Sequence, residues 1–134
     1  MGTWGVGAFE NDDALDFVYV WQDDGSEAIR RALALGNGHV PVDRGQEAVV
    51  ASTILAAAFA RSAESLPDGA KELLARDGEQ LRAQPRLLRA ASKALERIAG
   101  ADSELSALWA ETSDAQLWKA QLRGLLRKLD AIKS

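Results

Sequence analysis

The stretch from Ala48 to Ala60 constrains the fold of this chain more than any other. It contains many small apolar residues, and only two hydroxyl side chains interrupt it. A helix that is apolar on every side cannot face water along its length, so other helices must surround it. Asp43, with Gln46 three residues later, matches a capping box, which predicts a helix that begins there and ends near Arg61. We therefore predict a central, closely packed helix.

The rest of the apolar pattern also has a helical period. Leu88, Ala91 and Leu95 recur at steps of three and four residues, as they do along one face of a helix. Residues 17–21 have high β-propensity, but no convincing partner strand exists. We therefore predict an all-α fold in which residues 1–134 form a single helical domain. This domain is a compact bundle of six or seven helices with an irregular, glycine-rich N-terminal coil.

The chain begins with a coil that combines glycines with aromatic residues. Gly5 and Gly7 allow backbone angles that other residues avoid, which predicts a tight and specific shape. Trp4 and Phe9 are placed to anchor this coil on the helices. The coil is therefore expected to be packed against the bundle and not open.

A helix-start signal follows the coil directly. Asn11 is a favourable N-cap residue, and Asp12 and Asp16 place negative charge near the positive end of a helix dipole. These residues predict a helix from 12 to about 22. Because large apolar residues follow on every side, we expect it to be buried. The candidate binding residues of the chain are Trp4, Gly5, Gly7, Asn11, Asp12 and Asp16.

Three interpretations of this region differ in chemistry. Glycines before a helix resemble a phosphate-binding loop, but no strand precedes them and the acidic residues that follow would repel phosphate. Asp12 and Asp16, together with Asp43 and Glu47 of the central helix, could instead bind a hard metal ion through oxygen. The third interpretation, in which the carboxylates only cap and anchor helices, is the one we favour. We therefore predict no metal ion and no cofactor.

Basic residues form a stripe opposite the apolar face of the helix near residue 90. Arg86, Arg89, Lys93 and Arg97 are a candidate surface for an acidic partner, or for the chain's own acidic half. We expect no nucleic-acid binding, because the net charge is −4 and few aromatic residues interleave with the stripe. His39, the single histidine, lies in a Gly-Asn-Gly-His loop where exposure is expected. We therefore predict no catalytic residue.

The charge is unevenly spread along the chain. Residues 1–47 contain nine acidic and three basic side chains, and residues 48–134 contain eleven and thirteen. Such asymmetry either steers a partner or brings two halves of one fold together. The chain has no cysteine, and its longest apolar run is shorter than the roughly 18 residues that a membrane span needs. We expect a soluble cytoplasmic protein with no membrane partner.

The last predicted helix carries a seam of apolar residues at alternating steps of four and three. This seam either docks on the protein's own core, which we favour, or pairs with the same helix of a second copy. The seam consists of Trp118, Leu122, Leu125, Leu129 and Ile132.

Several motifs together resemble a known family. The N-terminal pattern is Trp4-Gly5, Gly7, Phe9, Asn11-Asp12, Ala14 and Asp16, and the later one is Ser103-Glu104-Leu105, Leu108-Trp109 and Trp118. The chain resembles the small bacterial proteins grouped as domain of unknown function 4259. That resemblance implies a small, mostly helical bacterial domain without an assigned activity, and it identifies no catalytic residue.

Two classes of function follow from these observations. The favoured one is a non-catalytic helical module that binds an unidentified protein partner or a second copy of itself. The alternative is a small carboxylate-based enzyme, with or without a metal ion, or a ligand-binding protein. Either would use Asp12 and Asp16.

Overall fold

The computed structural model describes residues 7–133, with all side chains except that of Lys133. Within this range the chain forms seven helices and no strand, which confirms the predicted all-α bundle. The first four residues of the range form a turn that leads into the first helix. The helices are α1 (Asp12–Asp24), α2 (Ser26–Leu33), α3 (Val42–Ala60), α4 (Asp68–Arg82), α5 (Arg86–Ile98), α6 (Glu104–Ala110) and α7 (Ala115–Lys133).

Helix α3 is the centre of the bundle. It contacts each of the other six helices, and twelve of its residues are buried. Ile54 and Leu55 are fully buried, and the alanines around them let neighbouring helices approach closely. The prediction of a central, closely packed helix is therefore confirmed. Even so, no helix of the described range is both long and apolar enough to cross a membrane.

The N-terminus of α3 is capped from a distant part of the chain. Pro41 is the N-cap residue, so Asp43 already lies inside the first turn and forms no cap hydrogen bond. The predicted capping box is therefore wrong. A backbone N–H of the first turn, that of Val42, donates instead to Oε1 of Glu104 at 2.9 Å. Gln46, the other half of the predicted box, is buried within the fold.

The loop before α3 is held by two other segments. Val40 donates its N–H to the Asp102 carbonyl (2.8 Å) and accepts from the N–H of Glu104 (3.0 Å), which forms an isolated parallel bridge. The Arg97 guanidinium donates to the carbonyls of Gly36 and Gly38, two glycines with positive φ. These contacts orient the start of α3 and explain why local sequence did not predict its cap.

A buried polar cluster fastens the end of α1 to α4. Trp21 is fully buried, and its Nε1–H donates to Oδ2 of the buried Asp77 at 2.9 Å. Arg76 forms an ion pair with Asp77 (2.8 Å) and donates to the carbonyls of Trp21 and Gln22. The hydrogen bond with Asp77 raises the pKa of Arg76. One guanidinium thus satisfies both a buried carboxylate and the open C-terminal end of α1.

The apolar seam of α7 packs mainly within the chain. Trp118, Leu122 and Leu129 are buried in the core, whereas Leu125 and Ile132 are half-buried. The Trp118 ring stacks on that of Trp109, with centroids 6.2 Å apart. The seam therefore has an intramolecular role, as its favoured interpretation predicted.

One hydroxyl in α3, that of Ser52, is expected to lower the stability of the fold. Ser52 is fully buried, and its Oγ has no hydrogen-bond partner within residues 7–133. We expect Ser52→Ala to raise the free energy of unfolding by about 1 kcal/mol, because the desolvated hydroxyl is removed and helix propensity improves. Urea denaturation followed by circular dichroism measures this change. Thr53→Ala is the matched control, since its Oγ1 donates to the Val49 carbonyl at 2.8 Å. A loss of stability in Ser52→Ala would contradict the prediction.

Candidate functional site

The turn before α1 is stabilised by its own side chains. The Gly7 N–H donates to Oε1 of Glu10 (3.1 Å), and a Cβ at Gly7 would lie 2.5 Å from that oxygen. Asn11 is buried, accepts from the N–H of Ala14 (2.8 Å) and donates to the Ala8 carbonyl (3.2 Å). Its predicted N-cap role is confirmed. Gly7 and Asn11 thus shape the start of α1. Trp4 and Gly5, which are also candidate binding residues, lie outside the described residues.

Asp12 and Asp16 lie on the exposed surface of α1. Both side chains are exposed, and neither lines one of the two grooves described below. Asp12 belongs to the acidic first turn of the helix, where it interacts favourably with the helix dipole. The Asp16 carboxylate is therefore neither buried against other residues of the fold nor enclosed in a pocket.

Asp13, which is not among the candidate binding residues, brings the carboxylates of α1 and α3 close together. Burial raises the pKa of Asp13, and repulsion from Asp43, Asp16 and Asp12 raises it further. Glu47, which completed the hypothetical four-carboxylate set, forms an ion pair with Arg44 at 2.9 Å. In the part of the chain that the structure describes, no group of three or more acidic or histidine side chains is arranged to hold a metal ion.

The basic stripe of α5 divides into two parts. Arg86, Arg89 and Lys93 are exposed, whereas Arg97 is half-buried and binds the loop that contains Gly36 and Gly38. Three residues of the stripe therefore remain available on the surface, and the fourth has a structural role. His39, in the same loop, is exposed, as predicted.

Helix α1 is not buried on all sides, and this corrects the sequence-based expectation. Phe17 and Trp21 face the core, but Leu15, Val20 and Tyr19 have exposed fractions of 39%, 40% and 69%. Among the described helices, α2, α3 and α4 pack on one face of α1, so Leu15, Val20 and Tyr19 remain accessible to water. In the described range, these three and Leu117 of α7 are the exposed large apolar side chains.

Two of the exposed apolar side chains of α1, those of Leu15 and Tyr19, border a groove between α1 and α4. Its volume is about 470 Å³. Leu15 and Tyr19, one helical turn apart, form one wall with Val18, and Leu73 lies on the opposite wall. We call this surface the α1–α4 groove. It is lined by Leu15, Val18, Tyr19, Gln22, Pro67, Gly69, Ala70, Glu72, Leu73 and Arg76.

A second groove, of about 520 Å³, lies between the turn before α1, α3 and α7. Its lining includes Gly7 and Phe9 from the turn and Trp118 and Leu122 from α7. Apart from Leu117, its large apolar side chains are at least half-buried, because they belong to the core. Among the described residues, this groove has one exposed large apolar side chain, Leu117, whereas the α1–α4 groove has two, Leu15 and Tyr19.

Charge surrounds the α1–α4 groove unevenly. Helix α1 contains five aspartates and no basic residue. Among the described residues, no ion pair is formed by Asp12, Asp16 or Asp23. Arg76, the one cation among the described residues that line the groove, is paired with buried Asp77. The groove thus combines apolar walls with an acidic border. Sequence patterning missed it, because Leu15 and Tyr19 have the same four-residue spacing as Phe17 and Trp21, so the spacing alone does not show which pair is buried.

The fold and this surface define a small all-α protein, built on a buried central helix, with an open apolar groove beside its first helix. The chain matches the family described as Domain of unknown function (DUF4259) over residues 2–121, and it belongs to that family. The predicted resemblance is therefore confirmed. No curated protein and no solved structure matches the chain.

Proposed function

We propose that this protein is a non-catalytic interaction module that binds a partner protein through the α1–α4 groove. The observation that carries this proposal is the clustering of exposed apolar side chains on α1. Leu15, Tyr19 and Val20 lie within six residues, whereas an isolated exposed apolar side chain needs no explanation. Aromatic side chains such as that of Tyr19 are enriched at protein interfaces.

The candidate binding residues of α1 have distinct parts in this proposal. Asp12 and Asp16 lie three residues before Leu15 and Tyr19, so they flank the apolar side chains on the helix surface. Asn11 and Gly7 support them indirectly, because they set where α1 begins. We further propose that the protein acts in the cytoplasm, as its sequence suggested.

The α5 stripe is the competing interaction surface. Arg86, Arg89 and Lys93 are exposed, but α5 presents no exposed large apolar side chain within the described range. Exposed charges alone contribute little affinity, since water solvates them well. The apolar groove is therefore the favoured surface.

Affinity purification from the native host tests the proposal. We expect a stoichiometric partner protein to co-purify with the wild-type chain and to be lost with Leu15→Gln/Tyr19→Gln. Glutamine keeps helix propensity while it removes the apolar surface. The matched control is Leu117→Gln, since Leu117 is 55% exposed on another helix. Circular dichroism must show that both variants are folded. Retention of the partner by the double variant, or absence of any partner, would contradict the proposal.

A further inference from the structure

We infer that the partner presents a basic amphipathic segment, with apolar side chains that enter the α1–α4 groove and Lys or Arg residues that face the aspartates of α1. This inference rests on the proposed function, because it identifies the chemistry of the partner at the same groove. It follows from the length of the groove, its charge and the arrangement of its apolar walls.

The length of the groove suits a short helix or extended segment. Its α1 wall runs from Leu15 to Gln22, which is about 10 Å, or two helical turns. Leu15 and Tyr19 point to the same side of α1, and Leu73 faces them across the groove. A partner helix with apolar residues at spacings of three and four would place two or three of them between these walls.

The charge of the groove selects a cationic border on the partner. Asp12 and Asp16 neighbour Leu15 and Tyr19 on the helix surface, and Asp23 lies one turn beyond Tyr19. Glu72 lines the opposite wall. An acidic segment would bring like charges close to these carboxylates, whereas Lys and Arg would face them favourably.

A second copy of the chain fits the groove less well. The exposed cations of α5, such as Arg89 and Lys93, have no exposed large apolar side chain beside them in the described residues. Among its described side chains, helix α7 offers several exposed cations but one exposed large apolar residue, Leu117. These cationic helices would therefore supply charge without spaced apolar anchors, and the α1 helix of a second copy, which has such anchors in Leu15 and Tyr19, would bring its aspartates against those of the first copy. The inferred occupant is a separate protein.

Selection from a random-peptide display library tests the chemistry directly. Peptides of about 16 residues can form roughly four helical turns, which is longer than the groove. The full chain serves as bait, and binders to Leu15→Gln/Tyr19→Gln are removed by prior depletion. We expect the enriched peptides to carry net positive charge and two apolar residues at a spacing of three or four.

The outcomes of this selection separate the inference from the proposed function. Enrichment of neutral or acidic peptides that need Leu15 and Tyr19 would overturn the basic chemistry and leave the groove as the binding site. Absence of enrichment relative to the depleted variant would overturn both. Light scattering provides the remaining control. A dimer that is lost in Leu15→Gln/Tyr19→Gln would show that a second copy occupies the groove, and it would overturn the inference.

A charge-matched pair of variants locates the electrostatic contribution. We expect Asp12→Asn/Asp16→Asn to weaken binding of the enriched peptide by about fivefold, and added salt to reduce this difference. Glu111→Gln/Asp114→Asn changes the net charge equally at exposed positions near the start of α7 and should leave affinity unchanged. Equal effects of the two pairs, measured by fluorescence anisotropy, would contradict recognition at α1.

Discussion

Asp77→Ala is expected to lower the free energy of unfolding by about 2–3 kcal/mol. The substitution leaves the fully buried Nε1–H of Trp21 without its acceptor and separates Arg76 from its carboxylate. Loss of a hydrogen bond to a charged group, together with a desolvated donor, has a cost of this size. Because Arg76 also donates to carbonyls at the end of α1, we expect the C-terminal end of that helix to unfold before the rest of the bundle. Urea denaturation measures the loss.

A double-mutant cycle identifies the source of that loss. In a Trp21→Phe background, the cost of Asp77→Ala should fall by about 1 kcal/mol or more, since the indole donor is already absent. Asp23→Ala is the control, because Asp23 is an exposed carboxylate of α1 and its removal should change stability by less than about 0.5 kcal/mol. Additive costs in the cycle would show that the hydrogen bond of Trp21 is not responsible.

Ile54→Ala should cost about 3–4 kcal/mol, which is the larger of the two effects. Ile54 is fully buried on the helix that contacts every other helix of the bundle. Truncation removes apolar contacts and leaves a cavity that rigid neighbours cannot fill. Against a typical domain stability of about 5–15 kcal/mol, the variant should unfold at a clearly lower temperature. Calorimetry and urea denaturation measure both quantities.

A graded series makes this second prediction specific. Ile54→Val removes one methyl group and should cost about 1 kcal/mol. Val20→Ala, at a position that is 40% exposed on α1, should cost less than about 0.5 kcal/mol. If Ile54→Ala were as mild as Val20→Ala, the packing of α3 could not be the main source of stability. Retained helical circular dichroism would distinguish a cavity from global unfolding.

Features that depend on neighbouring residues could be predicted well. Asn11 was predicted to cap α1, and it does so through the N–H of Ala14, three residues away. Such hydrogen bonds form within one turn, so a short sequence pattern contains both partners. The apolar composition of α3 likewise indicated that this helix is central, because it has no polar face to turn toward water.

Features that depend on distant residues could not be predicted. Asp43 and Gln46 matched a capping pattern, but Glu104 caps α3, and it lies some sixty residues away. Arg97 was predicted to belong to an exposed basic stripe. In the folded protein its guanidinium instead donates to the carbonyls of Gly36 and Gly38. No local pattern contains these partners, so only the packed structure can reveal them.

The sequence by itself determined the helical class, the order of the helices, the central position of α3 and the family to which the chain belongs. The helical features follow from local periodicity, capping residues and composition. The family was instead indicated by the resemblance of motifs such as Asn11-Asp12 and Leu108-Trp109. Only the tertiary structure decided which side of α1 is exposed. Phe17 and Trp21 are buried because three neighbouring helices cover that face, and Leu15 and Tyr19 remain in water because no described helix covers theirs. The candidate site is a property of how the helices are arranged, since its two walls come from α1 and α4, about 50 residues apart in the chain.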